Sequence, residues 1–252
     1  MEKIKTGILG LDQLIGGGIP SDSVVLLSGS PGTGKTILSL QYLAVGASKY
    51  NQKGLYITFE ESEAKIRDQA SQFGWNFPAL EKKGKIKIMN ISRLSFGQIY
   101  KKLDEAIESF KPQRLVIDSL TYLTLSAHNR KSMVELENAT VDEIVFGQDQ
   151  VSSTPLQWDS IIVRKIMTDL VGKLQAKNIC TLMTSETSKS GDWYSRDTLS
   201  EFICDGILQL RSTSIGTDLQ RTIEIVKLRN SKIKGGIYSI DFSKTGIKID
   251  TK

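Results

Sequence analysis

Residues 29 to 36 read GSPGTGKT, between an apolar run, VVLL at 24 to 27, and ILSLQYLAVGAS, which has helical spacing. Glycines at these positions let the backbone curl so that successive N–H groups face inward, an anion nest at a helix N-terminus. Lys35 then reaches the β/γ-phosphates of a nucleotide, and the Thr36 hydroxyl ligates Mg2+. A strand before the loop and a helix after it are the context this motif requires.

Three further groups fit the same chemistry. Asp118 ends the apolar run RLVIDSL (114 to 120), where a carboxylate can hold a water of the Mg2+ shell or simply cap a strand. Glu60 and Glu61 end GLYITFEES (54 to 62), and a strand edge beside the phosphate loop can present a base to the attacking water. Consecutive strand residues face opposite ways, so an extended strand aims only one of the two at that water; alternatively both cap the helix starting near Ser62. In RTIEIVKLRN (221 to 230) strict alternation sets Ile223, Ile225, Lys227 and Arg229 on one face. Such a pair of cations at a strand tip is either solvated or a finger reaching a neighbouring subunit's nucleotide.

Short apolar runs alternate with helix-length segments to hold these residues. VVLLSG precedes 36 to 49, GLYITF precedes 62 to 75, KIKIMNI precedes 97 to 110, and RLVIDSL comes well before 160 to 177 and ICTLMTS. That order predicts βα units around a parallel sheet, an α/β fold. GILQLR, RTIEIVKLR, GIYSIDF and GIKID follow with only turn residues between them, which predicts an antiparallel extension. The expectation is one domain over 1 to 252, with an insertion at about 126 to 159. From 128 to 160 that insertion holds two bases and six acids.

Composition narrows the function classes. The chain of 252 residues, 39% hydrophobic, is long enough for a full core. No apolar stretch approaches the roughly 18 residues of a membrane span, and MEKIKTG lacks a signal-peptide core, so a cytoplasmic location is expected. Cys180 and Cys204 sit in apolar contexts as buried thiols, and His128 is the only histidine, which leaves little material for a zinc site or a Ser-His-Asp triad. Of the net charge of +5, all lies in 211 to 252, with nine Lys/Arg against four acids. Any basic surface is therefore C-terminal.

Together these motifs resemble the KaiC/RadA branch of RecA-like ATPases. TGILGLDQLIGGGIP (6 to 20) is similar to that family's opening motif, FEES with FGW (73 to 75) to its second unit, and TLMTSE, CDGILQLR and IVKLRNSK to its closing strands. The likeness is colinear over nearly the whole chain outside 126 to 159. It implies a RecA-like P-loop NTPase core, a hexameric ring or filament, and ATP with Mg2+ bound between subunits. Carried over by position, Gly32, Thr33, Gly34, Lys35, Thr36 and Ile37 cradle the phosphates, and Thr36 and Asp118 serve the metal. Glu60 and Glu61 are the catalytic pair, with Lys35, and Lys227, Leu228, Arg229 and Ser231 touch the neighbour's nucleotide. The chain departs at KLRNSKI, where the family usually has K-L-R-G-[TS]-x-H: Asn230 replaces glycine and Ile233 replaces histidine. It also has one such domain, not the tandem pair of the clock protein.

The leading expectation is a KaiC-like oligomeric ATPase in a regulatory or signalling role, with no membrane partner. Alternatives are a single-stranded-DNA-binding recombinase relative and an ATP-dependent assembly scaffold. The DNA reading rests on SETSKSGDWYSRD (185 to 197), where Lys189, Arg196, Trp193 and Tyr194 could stack and pair bases, although Glu186, Asp192 and Asp197 oppose a phosphate backbone. In the scaffold reading the acidic insertion, with MVEL and EIVF among its acids, docks a protein partner.

Overall fold

The computed structural model describes residues 2–92, 94, 96–122, 155–187 and 193–251. A short antiparallel pair, β1 (Lys3–Ile4) with β2 (Ile19–Pro20), brackets a one-turn helix, α1 (Leu11–Leu14). The main sheet contains β3 (Val24–Gly29), β4 (Gly54–Thr58), β5 (Ile86–Asn90), β6 (Arg114–Asp118), β7 (Cys180–Ser185), β8 (Gly206–Ile215), β9 (Asp218–Leu228), β10 (Ile237–Ser243) and β11 (Gly246–Ile249). Their order is β11-β10-β9-β8-β3-β7-β6-β4-β5, with β8 through β5 parallel and β8 to β11 antiparallel. The expected parallel core with its antiparallel extension is what forms.

Both faces of the parallel core are covered, which explains why its strands are apolar runs rather than alternations. Val25 and Leu27 face α2 (Lys35–Lys49), α3 (Glu63–Ser71) and α4 (Phe77–Lys82), packing with Leu38, Tyr42, Ile66 and Phe77. Val24 and Leu26 face α5 (Phe96–Phe110) and α6 (Pro155–Ala176), packing with Ile99, Leu103, Met167 and Leu170. Cys180 and Cys204 are buried, and burial pushes their thiols up to about 11 and about 12. Among the described residues no helix is long and apolar enough to cross a membrane.

Several boundaries differ from the pattern. The helix expected over 62 to 75 ends at Ser71, where a turn with Gly74 at φ 75° sends the chain into the separate helix α4. Proline at the start of α6 is compatible with a first helical turn, and the helix begins at Pro155, inside the expected insertion. The rest of that insertion, and His128, lie outside the described residues. Strand β8 outruns GILQLR to Ile215, forming with β9 a long hairpin that turns at Gly216 and Thr217.

Arg114, at the start of β6, is fully buried. Its guanidinium donates to the Tyr42 carbonyl (2.8 Å), the Lys5 carbonyl (2.7 Å) and Gln52 Oε1 (2.7 Å), and lies over the Tyr42 ring at 4.5 Å. Only glycine fits beside it at position 46, since a Cβ there would be 2.4 Å from Arg114 Nε. One side chain thus ties the N-terminal segment, α2 and the loop before β4 to the sheet.

Candidate nucleotide site

The phosphate loop leaves β3 at Gly29 and enters α2 at Lys35, with Gly32 at φ 80° and Gly34 at φ 105°. That left-handed backbone is open to glycine and turns the intervening amides inward. Thr33 is buried and its hydroxyl donates to the Ser30 carbonyl at 2.8 Å, bracing the curl. Ile37 packs its side chain on the α2-side core. Lys35 Nζ donates to the Gly29 and Ser30 carbonyls (2.8 and 3.0 Å), acceptors that the loop itself supplies. Burial holds the Lys35 ammonium below the ordinary lysine range, against the opposing pull of Asp118, Glu186 and Glu60.

Asp118 ends β6, two strands from β3, and is the hub of a hydroxyl cluster. It accepts from Thr36 Oγ1 (3.1 Å), Tyr56 Oη (2.5 Å) and Thr184 Oγ1 (2.6 Å). A carboxylate and a threonine hydroxyl meeting at a helix N-terminus form an oxygen donor set of the kind that suits Mg2+. Tyr56 and Thr184 escaped the sequence reading because each looks like an ordinary strand residue; only the register, which sets β4 and β7 on either side of β6, brings them to Asp118.

The two glutamates separate. Strand β4 stops at Thr58, and the chain bends before Ser62, whose hydroxyl caps α3 by accepting from Lys65 N at 3.3 Å. Glu60 turns toward the loop, where Ser119 Oγ donates to its Oε1 at 2.8 Å. Glu61 turns onto α3, pairing with Lys65 (2.8 Å) and accepting from Gln69 (2.7 Å). One acid faces the site, and the other supports the following helix.

Strict alternation fails in β9. Lys227 pairs with Ile207 but Ile225 with Leu208, so Val226 is an extra residue, a β-bulge. The bulge shifts the phase: Leu228 joins Ile223 and Ile225 in the α2-side core, while Lys227 and Arg229 open on the other face. There they line a cleft of about 380 Å3 with Trp193, Tyr194, Phe202 and Ile207. Lys227 Nζ donates to the Glu201 carbonyl at 2.8 Å; burial and then the nearby Arg229 lower its affinity for a proton. Arg229 pairs with Asp205 at 3.5 Å. Asn230 has φ 56°, the left-handed region, which explains how asparagine stands where a glycine was expected. Ser231 Oγ is shielded and has no partner among the described residues, and Ile233 packs against the core.

Position along the sheet separates the two groups. Gly29 pairs with Leu210, four residues along β8 from Gly206, which pairs with Leu228. At strand rise this is about 13 Å. The loop at 185 to 197 is only partly described: Tyr194 packs on the core, Arg196 pairs with Glu186 at 3.4 Å, and Trp193 stays exposed, while Lys189 and Asp192 lie outside the described residues.

A glycine-rich loop from the middle strand of this order, with an acid ending the next strand but one, defines a RecA-like P-loop fold. The family described as "ATPase: KaiC" matches residues 4–145 and 143–252, and the chain belongs to it. It is 32% identical over 259 residues to the circadian clock oscillator protein KaiC of Nostoc sp. and 33% identical over 249 residues to that of Picosynechococcus sp.. Each alignment covers 99% of this chain and 44% of the relative, so the chain spans less than half their length. A solved KaiC-like protein from Pyrococcus horikoshii OT3 superposes with a TM-score of 0.78 at 27% identity, covering 99% of both chains.

Proposed function

We propose that the chain is a Mg2+-dependent ATPase in which each catalytic site is completed by a neighbouring copy, acting in the cytoplasm in a regulatory or signalling capacity. The observation that carries this reading is the separation of the two cationic groups. Lys227 and Arg229 stand toward the end of the sheet opposite their own phosphate loop, about 13 Å along the strands, which favours their serving a nucleotide other than the one it holds. Copies stacked head to tail would bring one subunit's Lys227 and Arg229 to the next subunit's loop, a heterologous contact that closes into a ring or runs on as a filament.

Within a site, the loop amides from Gly32 to Ile37 grip the phosphates, and Lys35 exchanges the Gly29 and Ser30 carbonyls for phosphate oxygens. Thr36 and Asp118 would hold Mg2+, which would supply positive charge against that developing on the phosphates. Glu60, oriented by Ser119, positions the attacking water and accepts its proton. Lys227 and Arg229 of the next subunit stabilise the transferring phosphoryl group.

The test mixes two inactive variants. Lys35→Ala subunits lack a working loop and Arg229→Ala subunits lack the finger, but a loop from the second and a finger from the first make one complete site. Recovery of ATP turnover on mixing is the expected result; mixtures as inactive as their components would end the shared-site reading. Adding single-stranded DNA to the wild type in the same assay tests the recombinase alternative, which requires strong stimulation.

A further inference from the structure

Residues 194 to 201, between β7 and β8, touch both the strand that carries the phosphate loop and Lys227. Ser28, the residue before Gly29 of the phosphate loop, donates its hydroxyl to the Tyr194 carbonyl. The next residue, Ser195, is fully buried and gives its N–H (2.8 Å) and its hydroxyl (2.6 Å) to Glu201 Oε2. Glu201, 6% exposed, is in the one-turn helix α7 (Ser200–Ile203), and its carbonyl accepts Lys227 Nζ at 2.8 Å. Asp197 braces the turn between them, accepting from the Leu199 and Ser200 amides at 2.8 Å each. Ser28 and Lys227 are therefore joined by a short run of hydrogen bonds within one chain, buried at its centre and part-buried at its ends.

We infer that Ser28, Tyr194, Ser195, Glu201 and Lys227 form a relay coupling the nucleotide a subunit holds to the nucleotide it helps its neighbour hydrolyse. Glu201 is its positioning residue. One face of the relay is fixed to the strand that carries the phosphate loop, so a shift of that loop on binding moves the Tyr194 carbonyl's donor. At the other end, a neighbour's phosphate draws the Lys227 ammonium off the Glu201 carbonyl, and a helix-end carbonyl losing its donor destabilises the arrangement that Ser195 holds. Coupling of this kind is reciprocal: if occupancy of the own loop favours the reach of Lys227, engagement of Lys227 favours occupancy of the own loop to the same degree. The burial of Ser195 and Glu201 makes the connection stiff, because a displaced partner there has no water to replace it.

The relay rests on the shared-site reading, and the experiment separates the two. ATP turnover of the assembled protein is measured against ATP concentration for wild type, Ser195→Ala, Ser195→Thr, Ser28→Ala and Lys227→Ala. The relay predicts a wild-type Hill coefficient clearly above about 1, falling toward that value in Ser195→Ala and Ser28→Ala while turnover at saturating ATP is retained, and returning in Ser195→Thr. A non-cooperative wild type overturns the relay, as does cooperativity that survives both alanine variants. If Ser195→Ala fails to fold, Ser28→Ala alone decides. Lys227→Ala reports on the underlying reading: full turnover in that variant removes the shared site itself, whereas an inactive Lys227→Ala beside unchanged cooperativity in the serine variants removes only the relay.

Discussion

Two arginines at the same end of the sheet are treated in opposite ways. Arg114 is enclosed completely and gives its hydrogens to two carbonyls and an amide oxygen from three separate segments. Arg229, on the opposite face, leaves 53% of its side chain exposed and has one 3.5 Å contact with Asp205. A cation that the fold needs is surrounded by acceptors from its own chain, because a buried charge without them is strongly destabilising. The open one, beside Lys227 and a cleft with aromatic walls, leaves its guanidinium accessible, as the proposed shared site requires. At the other end of the sheet Lys35 resembles neither: it is partly buried, yet its acceptors are loop carbonyls that a phosphate can replace.

The most direct attack on this contrast is to remove the open arginine. Arg229→Ala should lower ATP turnover by about 10^3-fold, the scale of a finger supplied in trans, while ATP binding at the loop is unchanged. Its thermal unfolding should stay within about 0.5 kcal/mol of wild type. Loss of folding in place of turnover would make Arg229 a structural residue like Arg114.

A second test sets the two glutamates against each other. Glu60→Gln should reduce turnover about 10^2-fold or more, the range for a positioned base. Glu61→Gln, which weakens only an exposed pair with Lys65 and a bond from Gln69, should retain most activity. Equal losses in both would mean that Glu61 leaves α3 when nucleotide binds.

The enclosed arginine is tested through its glycine. Gly46→Ala drives a methyl into Arg114, and the side chain cannot yield without losing its three acceptors, so a loss of about 1–3 kcal/mol is expected in denaturant titration. Gly172→Ala in α6, where a Cβ meets nothing within 4 Å, should instead stabilise by about 0.5–1 kcal/mol. A harmless Gly46→Ala would show that the Arg114 cage is loose.

Much of this was legible in the sequence. The parallel core, the antiparallel extension and the phosphate loop all follow from apolar runs, helical spacing and glycines whose physics is local. What escaped depends on register. A single extra residue at Val226 reverses which face Lys227 and Arg229 occupy, and no alternation pattern announces a bulge. The division of Glu60 from Glu61 depends on β4 ending at Thr58 so that the chain bends, which the run GLYITFEES does not disclose. Arg114 reads as a polar residue opening a strand, and its complete burial emerges only when Lys5, Tyr42 and Gln52 converge on it.

Lys35 supplies the smallest and most specific effect. In the free protein burial lowers its proton affinity, and bound phosphates, being anionic, would raise it again. Binding therefore takes up a proton at any pH between the two values, and linkage then requires ATP affinity to fall as pH rises through that window, by up to about tenfold per unit. Measured on dilute protein, where no neighbour contributes, the slope belongs to the loop; Lys227, also lowered by burial and by Arg229, enters only when turnover is followed in the assembly. Replacing Lys35 with arginine, which stays charged throughout, should flatten the affinity profile even if it weakens binding overall. An affinity that is level across the alkaline range in wild type, or a slope that persists in Lys35→Arg, would mean that the loop carbonyls hold the ammonium as firmly charged as any solvated lysine, and the distinction between an exchangeable cation and an enclosed one would lapse.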